Sequence, residues 1–450
     1  MRSLVLAAAV ACVGCASLSV PSAAPVGTSQ QAGRIGPAID HHQHLLSPSA
    51  AGLLNEAEGG GALEPVEVPS DVAELLARRA AHWNDAAALA QVYTEDAIVL
   101  EDRPIKGGKA AANHISGRFG RPYDVMPIAY SGEDSTRTVV ALYTRRHAAE
   151  RTIVGSTLLS LKRDQAGTWR IAAETMKFPG PAQLSPFDAS ELIELLDHAD
   201  IQRAVVLSVA YFFESPLIPA ERRSASHLRA ENDWTAAEVA RFPDRLVGFC
   251  GINPLTDHAL SEMQRCKQQL GLLGLKLHFG NSAVDLEKPQ DLARMKEVFA
   301  SANRLGMPVM AHLWSGQKDY GRRDAELFLE QVLPQAPDIV VQVAHMAGAG
   351  PGWTDEALEV FAKAVEARDP RARNLYFDVA TVADLQNSDQ LALLAKRIRQ
   401  IGPERILYGS DGSFGGRDAP NKEWGTFRGM VPLTDEEFAT IQDNVAPYLR

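Results

Sequence analysis

Gln290-Asp-Leu-Ala-Arg-Met-Lys-Glu-Val-Phe-Ala-Ser-Ala-Asn-Arg-Leu-Gly-Met-Pro-Val-Met-Ala-His312 joins a helix-length segment to a short apolar run that ends on a histidine. The same unit recurs on both sides. Upstream, a helix over 187–201 leads to Arg203-Ala-Val-Val-Leu-Ser-Val209, one over 227–243 to Arg245-Leu-Val-Gly-Phe-Cys-Gly-Ile252, and one over 257–271 to Leu273-Gly-Leu-Lys-Leu-His278. Downstream, 323–336 leads to Asp338-Ile-Val-Val-Gln-Val-Ala-His345, 354–368 to Asn374-Leu-Tyr-Phe-Asp-Val379, and 389–401 to Arg405-Ile-Leu-Tyr-Gly-Ser-Asp411. The helices carry apolar residues at helical spacing, as in Leu391, Leu394, Ile398 and Ile401. The strands are continuous apolar runs, as a parallel sheet buried on both faces requires. Adding Pro37-Ala-Ile-Asp-His-His-Gln-His-Leu45 brings the βα units to the number that closes a barrel. An α/β fold, a (β/α)8 TIM-type barrel, is therefore predicted. An open doubly wound sheet also alternates, but no glycine-rich phosphate loop follows the first strand.

The stretch from about Pro69 to Phe178 breaks this rhythm. Two amphipathic helices, Asp71–Trp83 and Ala86–Tyr93, precede strand-like runs at Asp96–Leu100, Thr138–Arg145, Ile153–Arg163 and Trp169–Lys177. Helices followed by consecutive strands indicate an α+β unit inserted after the first barrel strand. At the N-terminus, Arg2 precedes the apolar run Leu4 to Val13 and a series of small residues. This reads as an export signal, cleaved after Ala16 or Ala24, and is too short to span a bilayer. Cys12 and Cys15 also follow small residues, much as in a lipoprotein signal, although neither matches one cleanly. The expected layout is a signal over 1–24, a Ser-, Ala-, Pro- and Gly-rich linker over 25–37, the first strand and loop over 38–55, the insert over 56–183, and the rest of the barrel over 184–450. The protein is expected to be periplasmic or secreted, the alternative being a lipoprotein whose N-terminal lipid anchor would be its only tie to a membrane.

With 45 basic and 56 acidic residues, the net charge of −11 gives no basic footprint for nucleic acid. Beyond the signal only Cys250 and Cys266 remain, which make no disulfide framework, and Cys250 reads as a buried thiol.

Of the 12 histidines, His41, His42, His44, His278, His312 and His345 fall at or just past predicted strand ends. In such a barrel the strand C-termini form the catalytic face. His42 and His44, two apart on a strand, share a face and can share one divalent cation. His41 reads as structural. Asp411 ends the last strand.

Ile39-Asp-His-His-Gln-His44, Gly274-Leu-Lys-Leu-His278, Pro308-Val-Met-Ala-His312, Val343-Ala-His345 and Leu407-Tyr-Gly-Ser-Asp411, in this order, resemble the amidohydrolase-related family that includes aminocarboxymuconate-semialdehyde decarboxylase. The resemblance implies that His42, His44, His312 and Asp411 bind one divalent metal, most often zinc, with His345 beside it. Metal-bound water would then have a pKa near ~7. Asp411 would take and return the proton, and His345 would stabilise an oxyanion or donate a proton. Within the insert, Tyr93-Thr-Glu-Asp-Ala-Ile-Val-Leu, Ile105-Lys-Gly-Gly-Lys and Gly167-Thr-Trp-Arg-Ile-Ala-Ala resemble the SnoaL-like, nuclear-transport-factor-like cone, implying a pairing surface for a homodimer. A βα loop of such a barrel opens on its catalytic face, so the insert is expected at the mouth of the site.

Lys276 and His278 share a face. Lys276 is read as an amine that holds a substrate carboxylate or pairs with Asp411, the alternative being a carboxylated lysine bridging two metals. Tyr211, Phe212, Arg222, Arg223, Asn281 and Trp314 are further candidates for contact with a small-molecule substrate. The leading expectation is hydrolysis of an amide, ester or lactone by metal-activated water. The alternative is non-oxidative decarboxylation of an aromatic or unsaturated acid, and a third option is a non-catalytic protein that binds a small ligand.

Overall fold

Ile39–Gln43 forms β1, and the chain then leaves the barrel for a separate unit before returning. In this computed structural model the described residues are 36–57, 65–101, 104–116, 124–132, 135–147, 150–177, 186–314, 320–383, 386–412 and 419–450. The expected export segment and nearly all of the linker lie outside the described residues. Two compact units emerge, Met1–Ala50 with Phe187–Arg450, and Ala51–Pro186. Among the described residues no helix is long and apolar enough to cross a membrane.

The second unit holds β2 (Tyr93–Leu100), β3 (Pro104–Lys106), β4 (Asp124–Gly132), β5 (Thr136–His147), β6 (Glu150–Arg163) and β7 (Trp169–Lys177) in one sheet of order β3-β2-β7-β6-β5-β4. Only β2 and β7 run parallel; the other neighbours are antiparallel. Val72, Leu75, Trp83, Tyr93, Val99, Ala112, Tyr143 and Ile171 share its core. The second helix is shorter than expected, ending at Ala90, because Tyr93 already begins β2. β4 gave no strand signal: Pro127 interrupts it beside a register shift. That is tolerated because β4 lies at the sheet edge, where a missing N–H breaks no ladder.

The barrel resumes with β8 (Arg203–Leu207), β9 (Leu246–Gly251), β10 (Gly274–His278), β11 (Val309–His312), β12 (Val341–Val343), β13 (Leu375–Asp378) and β14 (Ile406–Leu407). The order β1-β8-β9-β10-β11-β12-β13-β14 is parallel throughout. The sheet closes through the segment after β14. The His41 N–H donates to the Tyr408 carbonyl (2.9 Å), the Asp411 N–H donates to the His42 carbonyl (2.7 Å), and Gln43 bridges to Gly412. A Cβ on Gly409 would lie 2.5 Å from the His42 Cβ, so glycine permits this approach. Val205, Leu207, Phe249, Met310 and Ala344 pack inside, joined by Tyr448 and Leu449 from the C-terminal tail.

Two expected strands are shorter than their apolar runs. The run 338–345 is a strand only at Val341–Val343, and Ala344–Met346 then turns with His345 at φ 52°. The run 405–411 is a strand only at Ile406–Leu407, and Asp411 has φ 53°. Left-handed backbone costs a non-glycine residue about 1–2 kcal/mol, so both site residues sit at strained turns.

Cys250 is not a free thiol. With Phe249 pointing into the barrel, its neighbour Cys250 faces the helix layer. There it is bonded to Cys266 of helix Ala259–Gln268, with the Cα atoms 6.0 Å apart. The sequence separation is 16 residues, and a closed loop of that size is worth about 3 kcal/mol through the unfolded chain. Cys266→Ala should therefore lower the unfolding free energy by about 2–4 kcal/mol in denaturant titrations. Unchanged stability would mean that the pair is not oxidised in the purified protein.

Candidate metal centre

β1 carries His42 and is followed at once by His44, β10 ends on His278, β11 on His312, β13 on Asp378, and the turns after β12 and β14 carry His345 and Asp411. All seven reach the same end of the barrel because parallel strands finish together. The Asp411 carboxylate lies 3.4 Å from His42 Nε2, 3.3 Å from His44 Nε2 and 3.9 Å from His345 Nε2. The His345 ring is 4.7 Å from that of His42 and 5.0 Å from that of His312, centroid to centroid. His312 stacks on His278 at 4.1 Å.

Hydrogen bonds on the far side of each ring set its proton. His44 Nδ1 lies 2.8 Å from the Leu207 carbonyl, His345 Nδ1 2.8 Å from the Ala380 carbonyl, and His42 Nδ1 3.1 Å from Asp378 Oδ2. A carbonyl or carboxylate only accepts, so all three rings carry a proton on Nδ1, and a ring in its neutral form presents a bare Nε2 to the centre. Burial is the main reason that His42, pushed down to about 3, and His44 stay neutral. Burial acts to raise Asp411, and positive charge at His42 and the histidines around it would hold it well below the usual carboxylate range; with His42 and His44 neutral, a cation is what can fill that part. Neutral Nε2 lone pairs thus face an ionised carboxylate, acceptor against acceptor. A cation resolves that arrangement, and three imidazoles with one carboxylate are a donor set suited to a divalent metal. The buried Nδ1 of half-buried His312 finds no hydrogen-bond partner among the described residues, which fits a nitrogen kept for the same purpose.

His42, His44 and Asp411 offer ligand atoms within 4.8 Å of one another. His312 is not part of that triple and stands beside it, against His345 and His278. His278 differs in kind. Its Nδ1 accepts from the Asn281 N–H (3.2 Å), so Nε2 carries the proton and offers a donor. Tyr211, buried in a turn after β8, lies 5.3 Å from the His278 ring. Lys276 is buried, with Nζ 3.3 Å from His42 Nε2, and burial pushes its ammonium down to about 8. Trp314 pairs with the exposed Trp353 at 6.4 Å. Arg222 is exposed on the turn Ala220–Arg222, while Arg223 donates to the carbonyls of Pro216 and Ile218. His41 has both ring nitrogens on backbone, at the Tyr408 carbonyl and the Ala446 N–H. Asp378 escaped the reading of the sequence, although it ends an apolar run just as His278, His312 and Asp411 do. The missing signal was its type: a lone aspartate after a strand also reads as a helix cap.

Replacing Asp411 with Asn keeps the shape and removes a ligand charge and a base. Turnover should fall by about 100-fold or more while the melting temperature stays near that of the parent. Unchanged turnover would remove Asp411 from the chemistry.

A family model described as amidohydrolase matches residues 218–442, half of the chain. That span includes His278, His312, His345, Asp378 and Asp411, while His42 and His44 lie before it. The gamma-resorcylate decarboxylase of Rhodococcus jostii (strain RHA1) is 22% identical over 253 residues, 49% of this chain and 76% of that protein. The gamma-resorcylate decarboxylase of Rhizobium sp. (strain MTP-10005) is 24% identical over 226 residues, 44% of this chain and 68% of that protein. Among solved structures, 5-carboxyvanillate decarboxylase from Sphingomonas paucimobilis is 18% identical, covering 56% of this chain and 79% of its own, with a TM-score of 0.40. The chain is an enzyme, either a decarboxylase or a hydrolase, and it belongs to the amidohydrolase family.

Proposed function

We propose that this protein is a metal-dependent, non-oxidative decarboxylase of an aromatic or unsaturated carboxylic acid. The observation that carries this reading, over hydrolysis of an amide, ester or lactone, is that both decarboxylase relatives match about half of this chain and more than two thirds of their own length. One divalent ion would be held by His42, His44, His312 and Asp411, and the nitrogen-rich donor set favours zinc. When bound, the ion supplies positive charge that holds an anionic substrate in place.

The residues divide the remaining work. The His278 Nε2–H and the Lys276 ammonium are donors aimed at substrate oxygens, and the buried Tyr211 ring flanks His278. Loss of carbon dioxide leaves an electron pair on the carbon that carried it, and that carbon must gain one proton. Asp411 is ionised at rest, so it must first take that proton from the substrate's own acidic hydrogen or from solvent; Asp411 and His345, 3.9 Å apart, are the pair that would pass it on. Burial of this end of the barrel strengthens each of these contacts by excluding water.

The six-stranded order of the second unit and the helices in its core support reading it as a SnoaL-like cone. The disulfide between Cys250 and Cys266 supports export, since such pairs persist in oxidising compartments.

The test is a substrate panel. Hydroxybenzoates, including gamma-resorcylate, should release carbon dioxide in a reaction abolished by chelation and restored by zinc or manganese, with about one metal per chain. Turnover of lactones, amides or esters alone would establish the hydrolase instead. Lys276→Met should raise KM for a carboxylate substrate by about 10-fold or more. An unchanged KM would take Lys276 out of substrate binding.

A further inference from the structure

We propose that Asp378 is a positioning residue: one buried carboxylate that sets the proton on His42 and anchors the turn carrying His345. The inference rests on reading His42 as a metal ligand, but its central claim concerns the proton on a ring and can be measured without any metal.

Asp378 ends β13 and is fully buried. Its Oδ2 accepts from His42 Nδ1 (3.1 Å) and from Gln342 Nε2 (2.8 Å), and its Oδ1 from the N–H groups of His345 (2.9 Å) and Ala380 (3.3 Å). The two backbone groups can only donate. The Gln342 amide has its orientation set by a second pure acceptor, because its Nε2 also donates to the His41 carbonyl at 3.5 Å while its Oε1 takes the Tyr448 hydroxyl at 2.8 Å. Its NH2 end must then face Asp378. Three of the four neighbours are therefore committed donors, and the fourth, His42 Nδ1, must bring a proton of its own. A bare Nδ1 there would set lone pair against lone pair in a buried site, an arrangement that proteins avoid. A neutral imidazole has one N–H, so His42 turns a bare Nε2 toward Asp411.

The same carboxylate acts on His345 through the backbone. His345, Met346 and Ala347 follow one another at φ 52°, 49° and 74°, three left-handed non-glycine residues in a row. The bond from the His345 N–H to Oδ1 ties the first of them to β13. The ring is then held at Nδ1 by the Ala380 carbonyl, two residues past Asp378. One strand end thus directs both histidines.

His42, His345 and Asp378 also offer ligand atoms within 4.8 Å of one another, which suggests a second metal. That alternative requires displacing bonded protons. Asp378 already accepts from four donors, and His345 Nδ1 is bonded to a carbonyl. Asp378 orients a ligand and does not serve as one.

The experiment uses the full chain, labelled with 15N at histidine, stripped with a chelator and then reloaded with zinc. Long-range proton–nitrogen spectra report the tautomer of each ring, and the His42 signals are identified by their loss in His42→Gln. The stripped parent should show His42 as the Nδ1–H form. An Nε2–H form there overturns the proposal, whatever happens to any variant and whether or not the protein proves to be a decarboxylase. In Asp378→Asn the side-chain amide can itself donate, so His42 should shift toward Nε2–H and zinc affinity, read by chelator competition, should fall by about 10–100-fold. Asp378→Glu keeps an acceptor and should restore the Nδ1–H form. A folded Asp378→Asn with parental tautomer and zinc affinity also overturns the proposal. If Asp378→Asn does not fold, the spectrum of the parent decides.

Discussion

Closure of the barrel between its first strand and the segment after its last is the constraint on which the site depends. The bond from the Asp411 N–H to the His42 carbonyl is at once a wall contact and a site contact. It brings a ligand from the start of the chain against one from near its end. Seen from β1, the segment Tyr408–Gly412 must come close enough that two side chains would collide, and both positions carry glycine. A Cβ on Gly409 would meet the His42 Cβ, and one on Gly412 would meet the Gln43 amide. Asp40 reinforces the seam, accepting from the Ser410 backbone and hydroxyl and from Gln43.

From that seam the electrostatics follow. Imidazoles taken out of water keep one proton each and no charge, because burial penalises the charged form. The Asp378 carboxylate stays ionised against the same penalty through the donors around it, whereas that of Asp411 needs positive charge beside it. The result is a dense set of lone pairs with little positive charge of its own, apart from Lys276. Two of the turns that aim these groups, at His345 and Asp411, are left-handed and cost energy that packing and hydrogen bonds elsewhere must offset. Strain at the two residues best placed to handle a proton is consistent with a geometry maintained for chemistry.

Much of this was legible in the chain itself. Alternating helices and apolar runs require a parallel sheet, since continuous apolar strands are stable only with both faces covered. The placement of His42, His44, His278, His312, His345 and Asp411 at the ends of those runs put them on one face. The second unit was less legible. Pro127 hid an edge strand, and the helix Gly108–Ile115, which opens on a glycine pair, gave no start signal.

Periodicity and residue type, which act over a few neighbours, thus determined the elements, their order and the histidine-rich end of the barrel. Only the tertiary structure decided what those residues do there. Spacing could not show that His278 offers an N–H while His42, His44 and His345 offer lone pairs, because tautomers are set by partners distant in the chain: Asp378 for His42 and Leu207 for His44. It could not pair Cys250 with Cys266, since that depends on how one helix lies over β9. Nor could it pick out Asp378, whose meaning comes from four donors delivered by three different strand ends. Local sequence governs conformation, whereas the protonation and polarity of a buried group are governed by whatever folding places against it.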